Sequence, residues 1–184
     1  MAFSSGFSPH PRISYANASP TGAASEAEYL EIGLAAQLDP DLVRDQLNAA
    51  MPDGLVIVRV VEAAAGPLAD RLAASRWRVE LGGVDAEDLA AAVADLLAAE
   101  VHEVQRMTKN GLRTFDVRSA LLGLVADGAA LELVSVVGEP LVRPDDVVQA
   151  LQALHPGLKS AQSALITRIE QGVWEDGRIA DPLA

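Results

Sequence analysis

Residues 75–100 read "SRWRVELGGVDAEDLAAAVADLLAAE", and the hydrophobic pattern changes period inside this one stretch. Residues 75–81 mix charged and apolar positions as a strand does. After two glycines, Asp85 stands as an N-cap, and Leu89, Val93, Leu96 and Leu97 recur at helical spacing, so residues 85–100 predict a capped amphipathic helix. A strand followed at once by a helix opens a β-α series.

The flanking sequence extends that series. Downstream, "VHEVQRM", the turn "TKNG" and "LRTFDVR" predict a hairpin, Asn110-Gly111 being the pair a type I′ turn prefers. "ALLGLVA" and "ALELVSVV" predict a second hairpin around Asp127-Gly128. Residues 143–154 follow as a helix opened by Pro144 and two acidic residues, then residues 162–171 as a last strand. The tail after Trp174 is expected to fray. Upstream, Asp39 and Pro40 start a helix with Leu42, Val43, Leu47 and Ala50 on one face, closed by Pro52 and Gly54. "LVIVRVVE", residues 55–62, is β-branched and almost wholly apolar, which predicts a buried strand. Residues 26–34 predict a strand with a slip near Tyr29, and residues 12–18 a short one. The first 25 residues carry a single charge, Arg12, and three prolines, so no long helix forms there.

Taken in order, these elements predict an α/β (α+β) chain of two ferredoxin-like split β-α-β halves, residues 1–66 and 67–184. The second carries an extra strand. The first lacks its opening strand and helix, which leaves a sheet edge and a helix seat uncovered. The expectation is that the working polypeptide extends before Met1, or that a partner completes this half.

Composition narrows the chemistry. Of 184 residues, 50% are hydrophobic and only 4% aromatic, so the core is built from Ala, Val and Leu. A net charge of −12 argues against non-specific attraction to nucleic acid or anionic lipid, leaving only local basic patches. With no cysteine there is no disulfide, thiol nucleophile or iron–sulfur ligation by this chain. His10, His102 and His155 lack metal-ligand spacing. No apolar run reaches the length of a membrane span, no signal peptide is evident, and the cytoplasm is the expected compartment.

Two groups of side chains could carry function. In "GFSPHPRIS", Gly6 permits a left-handed turn at Phe7, the prolines stiffen the loop, and His10, Arg12 and Ser14 could set a proton-transfer group beside a phosphate fork. The competing reading is a rigid cap on a sheet, with His10 bonded to backbone and Arg12 paired to Glu26 or Glu28. Those glutamates lie two apart, where a strand would place both on one face, most simply a solvated one. In the hairpin, Arg106, Lys109, Arg113 and Arg118 surround Phe115 and could engage RNA through phosphate contacts and stacking. Asp116 and Arg118 share a face and could form an ion pair.

The segment "SSGFSPHPRISYANASPTGAASEAEYLEI", residues 4–32, resembles the opening motif of the radical-SAM-linked protein family. The matching features are Gly6-Phe7, Pro9-His10-Pro11, Arg12, Ser14, Ser25-Glu26 and Glu28-Tyr29. "LNAAMPDGL", "TFDVRSALLGL" and "RPDDVVQAL" are similar to weaker family segments. The resemblance implies a two-part α/β protein that accompanies a radical-SAM enzyme, holds no cofactor of its own and presents an RNA such as tRNA. It also implies a basic strand and an Arg-rich helix ahead of the motif. The alternatives are a stand-alone RNA-processing enzyme, with His10 as general acid–base and Arg12 on the phosphoryl group, and a purely structural interaction module.

Overall fold

Helices form where the sequence supplies their caps. The structure, a computed structural model, describes residues 1–109, 111–159 and 162–184. In chain order the N-terminal part contains β1 (Ile13–Ala16), β2 (Ala24–Ser25), β3 (Tyr29–Ile32) and α1 (Pro40–Ala50). There follow β4 (Ala74–Glu80), α2 (Ala86–Ala98), β5 (Glu103–Thr108), β6 (Gly111–Asp116), β7 (Leu121–Asp127) and β8 (Ala130–Val136). The chain closes with α3 (Pro144–Leu154), β9 (Leu165–Gly172), β10 (Trp174–Glu175) and β11 (Arg178–Ile179). Asp39 accepts the amides of Asp41 and Leu42, and Asp85 those of Glu87 and Asp88, giving free N–H groups of the first turn a partner.

A five-stranded sheet runs β2-β9-β4-β8-β7. β4 lies antiparallel to both β8 and β9, β7 antiparallel to β8, and β2 parallel to β9. The pleat sorts the side chains. Trp77 and Val79 sit opposite Leu133 and Leu131 on one face, and α2 and α3 cover that face with Leu89, Leu96, Val147 and Leu151. Each such side chain contributes roughly 1.5–3 kcal/mol on burial. The opposite face carries Arg76 and Arg78, paired to Glu170 and to Asp127 and Glu132.

β5 and β6 form a separate antiparallel hairpin. Asn110 of its expected turn lies outside the described residues, while Gly111 takes φ +104, a left-handed conformation suited to glycine. The mixed α+β class is the expected one. Among the described residues no helix is long and apolar enough to cross a membrane.

Three local expectations are corrected. The strand expected over residues 26–34 is present but shorter, Tyr29–Ile32, without the slip near Tyr29, and it pairs antiparallel with β1 outside the large sheet. Residues 55–62 form no strand, because no neighbouring strand supplies a ladder, and composition alone specifies an extended backbone but not its partner. The tail does not fray. β10 and β11 close a hairpin through Asp176 and Gly177, both at positive φ, and the following residues dock on the N-terminal part.

Candidate functional site

A cleft of about 1090 Å³ opens beside α1. Its floor includes Val43 and Leu47 of α1; one wall is formed by residues 25–32 and the other by residues 54–63. The helix ends at Ala50 with Met51 as its C-cap, ahead of Pro52, and Gly54 at φ +91 turns the chain outward. Asn48 then grips the departing segment: its amide donates to the Ile57 carbonyl at 3.0 Å and its carbonyl accepts the Ile57 N–H at 2.7 Å. Further along, Arg59 donates to both Asp181 carboxylate oxygens at 2.6 Å, and Gln37 donates to Glu62 at 3.0 Å. Residues 55–62 are thus held extended by side chains. Val56 and Val58 stay 73% and 83% exposed, far from the buried strand their composition predicts.

At the inner end of the opposite wall sits a buried cation. Arg168 of β9 is 2% exposed and stacks over Trp77 at 5.2 Å from the ring centroid. It donates to the Asn17 carbonyl at 2.6 Å, to the Ser25 hydroxyl at 3.3 Å and to Glu28. Asn17, at φ +50, also donates its side-chain amide to the Leu72 carbonyl at 2.8 Å. Tyr15 donates its hydroxyl to the other Glu28 oxygen. One arginine therefore ties the chain just after β1 and just before β3 to the large sheet, at β2. Burial opposes ionisation of Glu28, but hydrogen bonds from Ser25, Tyr15 and Arg168, with the Arg168 charge, outweigh it and hold the carboxyl below its ordinary value of 4.5. Burial and the Glu28 bond push the Tyr15 phenol up.

The sign of the pH effect follows. A depressed carboxyl contributes stability that is present above its unfolded value and lost as pH falls through the folded one. Urea midpoints should fall as pH is lowered from about 5 to about 3, and the drop should be smaller in Glu28→Gln. Equal drops in the two proteins would remove Glu28 as a source of the effect.

The sequence-predicted residues separate into three places. Residues 2–12 fold back on themselves: Phe3 bridges Pro11, the Ser4 N–H donates to the His10 carbonyl at 2.8 Å, and the His10 N–H donates to the Ser4 hydroxyl at 3.0 Å. Gly6, at φ +130, turns this loop, and Phe7 projects wholly into solvent at its tip. His10 is exposed, and its main chain bonds to Ser4 within the loop. Arg12 and Ser14 line a shallow hollow of about 520 Å³ with Glu31 and Gly33. The expected pairing of Arg12 with Glu26 or Glu28 is replaced: Glu28 belongs to Arg168 and Tyr15, and Glu26 is exposed with its N–H on the Arg168 carbonyl. No group of three metal-ligating side chains occurs among the described residues.

The hairpin is corrected more sharply. Phe115 is 6% exposed and capped by Arg106 at 4.8 Å, so it offers no face to a base. Arg106 itself bonds to Asp146 and to the Leu141 carbonyl at 2.9 Å, anchoring β5 on α3. Arg113, opposite Arg106, and Lys109 remain exposed. Asp116 makes no ion pair with Arg118 among the described residues. Its carboxylate accepts three backbone N–H groups instead, from His102 and Arg118 at 2.9 Å and from Ser119 at 3.1 Å. Burial opposes its ionisation, and these donors prevail to hold the carboxyl low. Asp116→Ala should cost about 1–2 kcal/mol by leaving those donors unmet; a urea midpoint unchanged from wild type would count against it.

Arg168, Asn48 and the Arg59–Asp181 pair were not foreseen. "LITRIEQ" shows an arginine within a strand pattern, and only register against Trp77 reveals that it faces inward. A family model described as "Uncharacterized protein conserved in bacteria (DUF2344)" matches residues 1–144. No curated protein and no solved structure matches.

Proposed function

We propose, for a chain that belongs to the DUF2344 family of uncharacterised proteins conserved in bacteria, the role of an accessory module that docks a protein partner, a radical-SAM enzyme, through its N-terminal part. The observation that carries this reading is the cleft. Leu30, Leu55, Val56 and Val58 all stay exposed along it, whereas the large sheet packs its core face under two helices. A contiguous apolar surface rimmed by polar groups is where soluble proteins receive partners. The identity of the enzyme comes from the resemblance of residues 4–32, whose Phe7 loop stands free beside this region as a second contact.

Presentation of RNA is the narrower part of the proposal. With Phe115 covered, it rests on Lys109 and Arg113, which give phosphate contacts without stacking. Two such contacts predict a shallow salt dependence, a slope of roughly −1.5 to −2 in log–log form.

The test is co-purification of the protein from its own cells, with proteins and RNA in the eluate both identified. Recovery of a radical-SAM enzyme, lost with Phe7→Ser, is the expected result. RNA alone in the eluate would favour the processing-enzyme reading and overturn this one.

A further inference from the structure

We infer that the free edge of β7 is a two-fold contact through which two copies of this chain join their large sheets into one. The pairing is antiparallel and centred on Val125, with α2 of each copy alongside. It goes beyond the accessory role proposed above and does not depend on it.

β7 is an outermost strand of the five-stranded sheet, with β8 on one side and no strand on the other. The N-terminal part joins that sheet at its opposite edge, through β2 beside β9, so the elements expected to complete that part are seated there and not here. The ladder identifies the unused groups of β7. β8 turns the main chain of its odd-numbered residues toward β4: the Leu81 N–H donates to the Ala129 carbonyl at 2.9 Å, and the Val137 N–H to the Ala73 carbonyl at 2.7 Å. Ala130, Glu132 and Val134 therefore bond β7, at Asp127, Val125 and Gly123. Leu124 and Ala126 are left with N–H and C=O directed outward, and neither makes another main-chain bond among the described residues. Leu124 keeps 4% of its surface, where Leu131 and Leu133 keep 0% and 1%, the margin an edge main chain adds to a core side chain.

Edge strands are commonly blunted by lysine, proline or an inward charge, and residues 121–126 hold none of these. The irregularity between Leu121 and Gly123 confines straight pairing to residues 123–127. Centred on Val125, those residues match their own copy: Leu124 meets Ala126 of the second copy, and each such pair exchanges both its N–H···O bonds. Val125, 59% exposed on the outer face, then covers its own counterpart. Asp127 faces Gly123, which has no side chain to crowd it, and the two Asp127 positions lie about 13 Å apart, beyond the ~8 Å screening length of physiological salt.

α2 packs on β7 and supplies a second layer. Its Asp95 bonds His155 at the end of α3, and the flank turned away from Asp95, with Ala90, Ala94 and Leu97, is exposed and uncharged. Alanines there let two helices approach to about 8 Å. At a net charge of −12 two copies repel except where carboxylates are absent, and this patch is such a place. A foreign strand would find no charge on it to be selected by. The edge and helix together cover roughly 20 Å by 20 Å, about 400 Å² per copy, which is small for a stable dimer and sets association in the micromolar range.

Sedimentation equilibrium of the full chain from about 1 to 300 µM should show monomer passing to dimer with a dissociation constant of about 10–100 µM. At the upper concentration, amide exchange at Leu124 and Ala126 should slow by about threefold or more. Val125→Lys sets two like charges on the axis and should raise the dissociation constant at least about tenfold, as should Val125→Glu; an equimolar mixture of the two should return to within about threefold of wild type. If either variant fails to fold, exchange in the wild-type protein decides.

Monomer at the upper concentration, or a dimer without slowed exchange at Leu124 and Ala126, would overturn the contact. Dimerisation of Val125→Lys at wild-type strength, or no recovery in the mixture, would overturn the axis and with it the inference. Amides that slow only when the enzyme is bound would overturn it in favour of the enzyme. Phe7→Ser should dimerise as wild type does, so loss of the enzyme and loss of the dimer are told apart.

Discussion

Replacing Arg168 with methionine lowers the unfolding free energy by about 3 kcal/mol, the cost expected when one partner of a buried ion pair is removed. The charge lost is nearly fully buried, and three groups turn toward it: Glu28, the Ser25 hydroxyl and the Asn17 carbonyl. Methionine keeps much of the length over Trp77, so the cost arises from unmet polar groups rather than from a void. Glu28 suffers most, since its remaining donors no longer include a cation. Adding Glu28→Gln to Arg168→Met should therefore cost less than the two single changes summed, by about 1 kcal/mol. Urea denaturation measures all three variants. Limited proteolysis should cut within residues 1–33 of Arg168→Met well before wild type. Strict additivity, or an unchanged cleavage pattern, would mean that the N-terminal segment is held by packing alone.

The second large effect is expected at Gly172. A Cβ there would lie 1.9 Å from the Ala180 carbonyl oxygen and 2.8 Å from Ile179 Cγ2. The nearer obstacle is backbone, which cannot rotate aside. Gly172→Ala must displace the hairpin of β10 and β11, at a cost of about 2 kcal/mol or more. The damage travels. Asp181 follows that hairpin and holds Arg59, and the Pro182 carbonyl accepts from Arg71 at 3.1 Å, so one methyl group on β9 should loosen a cleft wall far along the sequence. Exchange of the Ala180 and Leu183 amides, bonded to the Val173 carbonyl and the Asp181 carboxylate, should quicken together with a lowered urea midpoint. Gly157→Ala is the matched control, with open space around its Cβ, and should stay within about 0.5 kcal/mol of wild type. Identical behaviour of the two variants would show that the tail is not packed as described.

What could be read from the sequence is what local chemistry settles. Asp39 with Pro40 and Asp85 with its first-turn acids mark helix starts within one residue, because an N-cap is a contact between near neighbours. The hairpins of β5–β6 and β7–β8 were visible for the same reason. Residues 55–62 show the limit. Their β-branched run fixes an extended backbone, yet a strand also needs a neighbour, and the neighbour is a matter of tertiary arrangement. Phe115 shows it again: basic residues on either side suggested a stacking platform, but Arg106 turns inward to Asp146 and covers the ring. The Ser4 to Ser14 loop was legible as a feature and not as a site, since its backbone folds on itself while His10 and Arg12 go to different surroundings. Arg168 was invisible because its importance depends on three partners 140 or more residues away in the chain.

The two tryptophans lie at two junctions of the molecule. Trp77 lies beneath the Arg168 guanidinium, where the N-terminal segment meets the sheet, and Trp174 faces Ile179 in the C-terminal hairpin. Intrinsic fluorescence is thereby already divided into two addressed emitters, without an introduced dye. With Trp174→Phe the remaining emission reports the first junction, and with Trp77→Phe the second. Coincident melting of the two signals would describe one cooperative unit; separate transitions would give the order in which the molecule comes apart.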